Sequence, residues 1–152
     1  IAPILNLHNL LIKDQFDHIL IMGAQNEREH FLKHEPGKQI YMSTDDASLG
    51  ISGNVVDALR NIFSNGNHPQ DCRLYSCGPP MMMEGVRRYS LQNDLECDLA
   101  LETIMACGFG ICQGCTVERK ADNNGEHSYR NQFALACMDG PIFKAKEIVS
   151  CM

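Results

Sequence analysis

The 152-residue sequence contains no tryptophan, and aromatic residues make up only 7% of it. It also has no apolar run close to the roughly 18 residues that a membrane-spanning helix needs. Basic residues are in the minority, since 13 lysines and arginines face 19 aspartates and glutamates, for a formal charge of −6. Nucleic-acid-binding proteins usually carry a basic face. We therefore expect neither nucleic-acid binding nor membrane insertion.

No internal repeat and no secretory signal pattern is present, and the printed chain begins at Ile1 instead of methionine. We expect a fragment or a processed product, large enough for one domain with a small appendage. The chain has eight cysteines, but they cluster unevenly, and a chain of this length does not depend on disulfides for stability. This favours a metal site in a reducing cytoplasm over a disulfide scaffold.

The first hundred residues alternate short apolar runs with segments of helical spacing. Strands are predicted in DHILIMGA, KQIYMST, CRLYSC and CDLALE, and helices in APILNLHNLLI, NEREHFLKH, SGNVVDALRNIFSN and MMMEGVRRYSLQ. In NEREHFLKH, Asn26 followed by Glu29 is close to a capping box. The alternation predicts an α/β fold with an open, Rossmann-like parallel sheet.

Ligands of such sheets bind outside the carboxyl ends of the strands. Three segments are expected at that edge: GAQN at 23–26, STDD at 43–46 and CGPP at 77–80. From residue 102 the alternation stops, and the sequence becomes rich in cysteine and glycine, with a polar stretch at 120–132 that we expect to be an exposed loop. We predict an α/β domain over residues 1–101 and a smaller module over residues 102–152.

The smaller module opens with the cysteine-rich stretch IMACGFGICQGCTV. Its spacing is Cys107-x4-Cys112-x2-Cys115, and Cys137 follows 22 positions later. This is the arrangement of plant-type [2Fe–2S] ligands. Gly108, Gly110 and Gly114 are expected to supply the unusual backbone angles with which a loop wraps a cluster and turns its amides toward anionic sulfur.

Other uses of these cysteines remain open. A structural zinc site typically has two C-x2-C knuckles, and a [4Fe–4S] site favours a more compact run; here one knuckle is present and the x4 loop would be unexplained. A disulfide between these cysteines would not explain why the loop contains three glycines. The spacing favours [2Fe–2S] over zinc, and zinc over thiol chemistry.

The order of motifs resembles one family of flavoproteins. The segments IAP, GAQN, STDD, GNVVDAL, YSCGPPMM, LALETIMACGFGICQGCTV and ACMDGPIF resemble the NAD-binding and [2Fe–2S] portion of the ferredoxin reductase-like proteins. Within them the chain is most similar to the electron-transfer subunits of class 1B dihydroorotate dehydrogenase.

The resemblance implies a set of cofactors and their contacts. NAD(H) is expected across the strand ends, and FAD in the full-length protein, with single electrons leaving through the [2Fe–2S] cluster. Its expected ligands are Cys107, Cys112, Cys115 and Cys137. The expected nucleotide contacts share a place at strand ends and are Gly23, Ala24, Thr44, Asp45, Cys77, Gly78 and Pro79.

The resemblance also implies parts that the printed chain lacks. Family members have a flavin-binding barrel, then a central strand and a glycine-rich turn before IAP. This 152-residue chain by itself is therefore expected to bind FAD poorly and to be inactive in NADH oxidation.

The expected partner is a flavin-containing catalytic redox subunit, in a hetero-oligomer that serves pyrimidine biosynthesis. One alternative is a related reductase subunit of a hydrogenase, of a sulfide or sulfur reductase, or of a glutamate synthase-type complex. Another is a non-enzymatic module that is stabilised by zinc and docks a partner.

Overall fold

The computed structural model describes residues 1–63, 72–120 and 129–151. It divides into two compact units, one of residues 2–70 and one of residues 71–152 together with Ile1. The predicted domain boundary at residue 102 lies within the second unit and stays a prediction. No helix of the described residues is long and apolar enough to cross a membrane.

The first unit is built on a small parallel sheet. Its elements are α1 (Ala2–Lys13), β1 (Leu20–Ala24), β2 (Ile40–Thr44), β3 (Ile51–Ser52) and α2 (Val55–Ile62). The strand order is β1-β2-β3, and all neighbours run parallel. Buried Leu20, Met22 and Met42 form its core, against which Ile4 of α1 packs. The predicted helices at both ends of the unit and the two predicted strands are confirmed.

The helix predicted for NEREHFLKH is wrong. Only Glu27–Glu29 forms a single 3₁₀ turn, capped by Asn26, and His30 is already extended. The His30 ring is hydrogen-bonded to the carbonyl of Ser43 at 3.1 Å, and His34 Nδ1 accepts the amide of Met42 at 3.0 Å. These bonds to the backbone of β2 hold the segment extended, so tertiary contacts override the local helical pattern.

The second unit contains the sheet β4-β5-β8. Its elements are β4 (Arg73–Cys77), α3 (Pro80–Gln92), β5 (Glu96–Ala100), β6 (Thr116–Glu118), α4 (Tyr129–Gln132), β7 (Phe133–Leu135) and β8 (Ile142–Lys144). β4 and β5 are parallel, β8 is antiparallel to β5, and β6 and β7 form a separate antiparallel pair. The mixed α/β fold with parallel strands is therefore confirmed. The strand expected upstream of the printed chain stays a prediction.

β5 shows the predicted alternation. Cys97 and Leu99 are buried, 3% and 0% exposed, while Asp98 between them is partly exposed. α3 packs on this sheet through Met83 and Val86, which are also buried. In the polar stretch at 120–132, residues 129–132 form the short helix α4 instead of a loop. The rest of that prediction, residues 121–128, lies outside the described residues.

Candidate metal centre

The three clustered cysteines lie on an irregular loop between β5 and β6. Cys115 immediately precedes β6, and Cys137 follows β7 by two residues. Because β6 and β7 are paired with Thr116 opposite Leu135, the two cysteines lie at the same end of the ladder. The amide of Ala136 donates to the carbonyl of Cys115 at 2.9 Å. The antiparallel pair thus brings the fourth predicted ligand to the loop from a distant part of the chain.

The loop curls so that backbone amides face sulfur. Cys107 Sγ accepts the amide of Cys112 at 3.4 Å, and Cys112 Sγ accepts the amide of Gly114 at 3.5 Å. Gly108 and Gly110 have φ of +72° and +83°, as the sequence predicts, whereas Gly114 is not among the positive-φ residues; Gln113 is, with φ +57°. The curl therefore depends on two of the three predicted glycines and on one glutamine.

The amides change the acidity of the first cysteine. Donation to its sulfur, chiefly from the amides of Cys112 and Phe109, lowers the pKa of Cys107 to about 6. The hydrogen bond with Cys115 raises the pKa of Cys137. A site that favours one thiolate and holds further thiols beside it is suited to a cation, because metal binding replaces the thiol protons.

The four cysteines differ in exposure, from buried Cys115 to exposed Cys112. Cys115 is 2% exposed, while Cys112 is exposed. Large apolar side chains surround the loop at the surface, with Ile104 85%, Phe109 62% and Ile111 74% exposed. A group bound here would be fixed from the protein side and reached from outside across an apolar rim.

The donor set fits an iron–sulfur cluster. The four cysteines come from the loop before β6 and the turn after β7, and the amides that face the sulfurs of Cys107 and Cys112 would compensate the negative charge that thiolates and sulfides bring. Within residues 1–63, 72–120 and 129–151, no group of three or more His, Cys, Asp or Glu side chains is arranged to hold a single metal ion.

The predicted nucleotide contacts of the first unit lie at the carboxyl ends of β1 and β2. Gly23 is opposite Ser43, and Ala24 is opposite Thr44. A Cβ on Gly23 would lie 2.6 Å from Val55 Cγ2, so glycine is required for the close approach of α2. The position therefore has a packing role, whatever else binds there.

Thr44 and Asp45 differ in accessibility. Thr44 is 0% exposed, and its hydroxyl exchanges two hydrogen bonds of 3.0 Å with the backbone of Leu49. Asp45 is exposed, and its amide donates to Ala24. Asp46 accepts both the hydroxyl and the amide of Ser48, which lowers the pKa of its carboxyl group. The strand end thus presents two carboxylates on a turn that Thr44 shapes.

The remaining predicted contacts lie in the second unit. Cys77 is the last residue of β4, Gly78 and Pro79 form the turn, and α3 starts at Pro80. The carbonyl of Pro79 accepts the amide of Met83 in the first turn of the helix. These three residues therefore form one strand-to-helix turn, as the sequence predicts.

One residue of the site was missed by the sequence reasoning. The Asp139 carboxylate accepts the amide of Leu135 at 2.8 Å and closes the turn that carries Cys137. The Asp-Gly pair at 139–140, which commonly marks a turn, is the signal that would have identified it.

Comparison with known proteins places these features in a family. Residues 102–149 match the family described as "Iron-sulfur cluster binding domain of dihydroorotate dehydrogenase B". A relative from Fusobacterium nucleatum, "Dihydroorotate dehydrogenase B (NAD(+)), electron transfer subunit", is 30% identical over 97% of this chain and 53% of its own length. A relative of the same description from Streptococcus pneumoniae is 31% identical over 98% of this chain and 55% of its own length. The chain spans about half the length of these curated relatives.

A solved structure gives the fold. It is described under "Insights into flavin-based electron bifurcation via the NADH-dependent reduced ferredoxin-NADP oxidoreductase structure" and matches with a TM-score of 0.69 at 23% identity, over 91% of this chain and 46% of its own. At this identity the likeness shows the fold alone. The family match covers residues 102–149, the range that contains all four candidate cysteines. Residues 102–149 therefore match the iron–sulfur cluster-binding domain family of dihydroorotate dehydrogenase B, and nearly the whole chain is similar to that enzyme's electron-transfer subunits.

Proposed function

We propose that this chain is part of an electron-transfer subunit of dihydroorotate dehydrogenase, which passes electrons from NAD(P)H through FAD and a [2Fe–2S] cluster to a catalytic partner subunit in pyrimidine biosynthesis. The observation that carries the proposal is the cysteine loop with its amides turned toward sulfur. A reducing cytoplasm is the compartment in which such free thiols persist.

Cys107, Cys112, Cys115 and Cys137 are the residues that would hold the cluster. When bound, a [2Fe–2S] cluster accepts and donates single electrons, and protein hydrogen bonds to its sulfurs tune its potential. The amides of Cys112 and Gly114 are placed to make such bonds. Buried Cys115 anchors the loop to β6.

In the first unit we propose Gly23, Ala24 and Asp45 as nucleotide contacts, on a turn that buried Thr44 shapes. In the second unit we propose the turn of Cys77, Gly78 and Pro79 as a nucleotide contact. Asp45 supports NADH as the donor. An acidic residue at a strand end binds the ribose hydroxyls of NAD in Rossmann-type folds, and it would repel the additional phosphate of NADPH. Asp46 beside it is a second carboxylate, whose pKa is lowered by its hydrogen bonds with Ser48, and its charge adds to that repulsion.

The apolar rim supports the presence of a partner subunit. Ile104, Phe109 and Ile111 are all more than half exposed and follow one another along the cysteine loop. Large exposed apolar patches in proteins mark interaction sites. We infer that the flavin-containing catalytic subunit covers this rim in a hetero-oligomer, which would bring its own redox group close to the cysteines.

The cluster is tested on anaerobically prepared protein. We expect one [2Fe–2S] cluster per chain, with iron and acid-labile sulfide in equal amounts, a coloured oxidised form and an electron paramagnetic resonance signal after one-electron reduction. A colourless protein that contains zinc and no labile sulfide would contradict the proposal and favour the zinc-stabilised docking module.

The partner is tested by co-purification. The full-length protein is expected to retain a flavin-containing, orotate-forming subunit, and Ile111→Ser is expected to weaken that association without loss of iron. Leu91→Ser, which changes an exposed side chain of α3, serves as the matched control. Recovery of a hydrogenase subunit in place of the orotate-forming one would assign the chain to the alternative reductase class.

A further inference from the structure

The turn that carries Cys137 is closed by its own carboxylate. β7 ends at Leu135 and β8 begins at Ile142, so the chain must leave one ladder and reverse within a few residues. The amide of Asp139 donates to the carbonyl of Leu135 at 2.7 Å, and the amide of Met138 donates to the same carbonyl at 3.0 Å. The Asp139 carboxylate accepts the amide of Leu135 at 2.8 Å. Leu135 and Asp139 are therefore joined by two hydrogen bonds, in each of which one residue's amide donates to the other residue.

The direction of the Leu135 amide explains why its hydrogen-bond partner is a side chain and not a neighbouring strand. The next amide, that of Ala136, donates to Cys115 across the β6–β7 pair. Successive amides of a strand point to opposite sides, so the amide of Leu135 points away from β6, where no third strand of this small sheet lies among the described residues. An amide that no neighbouring strand pairs needs another partner, and this one lies at an exposed position. The carboxylate of Asp139 satisfies it with a charge-assisted hydrogen bond.

Cys137 lies between the two joined residues. Buried Ala136, 1% exposed, ties one side of the turn to the carbonyl of Cys115 through its amide, which places Cys137 one residue beyond the position opposite Cys115 in the ladder. Ring atoms of Phe143 would lie 2.5 Å from a Cβ on Gly140, so the far side of the turn is packed as well. On the other side of Cys137, the hydrogen bond from the Leu135 amide to Asp139 closes the turn.

We propose that Asp139 is a positioning residue for the fourth cluster ligand, acting on Cys137 through the amide of Leu135. The inference rests on the proposed function, in that Cys137 must bind iron. Residues that orient metal ligands from the second layer change metal affinity by about 10–100-fold when they are replaced. Loss of the carboxylate would let the turn relax and would weaken the bond of this one ligand, while the other three stay in place.

Two variants separate the hydrogen bond from the charge. Asp139→Asn keeps an oxygen acceptor of the same length, and Asp139→Ala removes it. Glu147→Ala removes an exposed carboxylate of the same unit, which forms a 3.9 Å ion pair with Lys144, and serves as the matched control. All are prepared in the full-length protein and loaded anaerobically with iron and sulfide. The readouts are the rate of bleaching by an iron chelator, the electron paramagnetic resonance g values of the reduced cluster and the melting temperature.

We expect Asp139→Ala to lose its cluster at least about 10-fold faster than wild type, with altered g values, and we expect Asp139→Asn and Glu147→Ala to stay within about 2-fold. Rescue by asparagine together with unchanged melting of both Asp139 variants supports positioning. Equal rates for Asp139→Ala and wild type, or equal lability of the alanine and asparagine variants, would overturn it. A wild-type protein that takes up no cluster would overturn the proposed function as well, which distinguishes the two failures.

Discussion

Glu84 provides the most quantitative prediction about this chain. It lies on α3, is 4% exposed, and accepts two hydrogen bonds from Arg87, at 2.8 and 2.9 Å, and one from Arg88 at 2.8 Å. The amide of Cys151 donates to it at 3.2 Å. The Glu84–Arg87 pair thus holds the C-terminal tail, which also bonds to β6 through the amide of Val149.

The hydrogen bonds, from Arg87 above all, lower the pKa of Glu84 from 4.5 to about 2. At about 1.4 kcal/mol for each tenfold change in the ionisation constant, this corresponds to about 3 kcal/mol of folding free energy at neutral pH. Because the pKa is depressed in the folded state, the contribution is complete above about pH 4.5. It is lost as the pH falls from there toward about 2.

The test replaces Glu84 with glutamine, which keeps the size of the side chain and removes its charge. We expect Glu84→Gln to reduce the free energy of unfolding at pH 7 by about 3 kcal/mol, or the melting temperature by about 6–12 °C for a chain of this length. The difference from wild type is expected to shrink as the pH is lowered to 2. Denaturant titrations followed by circular dichroism at several pH values measure both.

The control is Glu147→Gln, which breaks an exposed pair with Lys144 and is expected to change stability by less than about 1 kcal/mol. A Glu84→Gln variant within 1 kcal/mol of wild type at pH 7, or a difference that stays constant between pH 7 and 2, would refute the reasoning.

Three further predictions concern the candidate sites. Cys137→Ser is expected to lose most of the iron and labile sulfide, because one of four ligands is replaced. Cys72→Ser is the control and is expected to keep both. Full retention of iron and sulfide in Cys137→Ser would exclude Cys137 as a ligand. Gly23→Ala is expected to destabilise the chain by about 1–3 kcal/mol in thermal melting, since its Cβ would lie 2.6 Å from Val55 Cγ2. Gly37→Ala, with nothing within 4 Å of its Cβ, is the control, and equal melting of the two variants would argue against a packing role. Asp45→Asn in the full-length protein is expected to reduce the preference for NADH over NADPH, because one carboxylate that repels the extra phosphate is removed. The preference is measured as the ratio of the two dissociation constants. An unchanged ratio would show that Asp45 is not part of the nucleotide site.

Periodicity in the sequence was enough to predict most of the regular elements. Apolar runs closed by glycine or proline identified β1 and β4, and helical spacing identified α1, α2 and α3. These predictions hold because the pattern of burial along each element follows from its own geometry. The short strands β6, β7 and β8 were not predicted, since three residues carry too little pattern and their pairing joins distant parts of the chain.

The helix predicted after β1 does not form, and this segment shows where tertiary contacts override local sequence signals. Asn26 does cap a turn by accepting the amide of Arg28, but Glu29 accepts the amide of Gln25 at 3.1 Å and not that of Asn26, so only part of the predicted capping pattern forms. The turn nevertheless stops at once, because the bonds of His30 and His34 to β2 favour an extended chain. The residues of β2 that accept and donate these bonds lie further along the chain, so the periodicity of the segment itself does not predict them.

The sequence by itself determined the chemistry of the candidate metal centre: four cysteines, their spacing and two glycines whose backbone angles only a permissive residue adopts readily. Only the tertiary structure decided how that chemistry is held together. The pairing of β6 with β7 brings Cys137 to the same end of the ladder as Cys115, and Asp139 closes the turn that carries Cys137. Ligand identity is a property of side-chain types and can be read along the chain, whereas ligand placement depends on hydrogen bonds between segments that meet only when the chain folds.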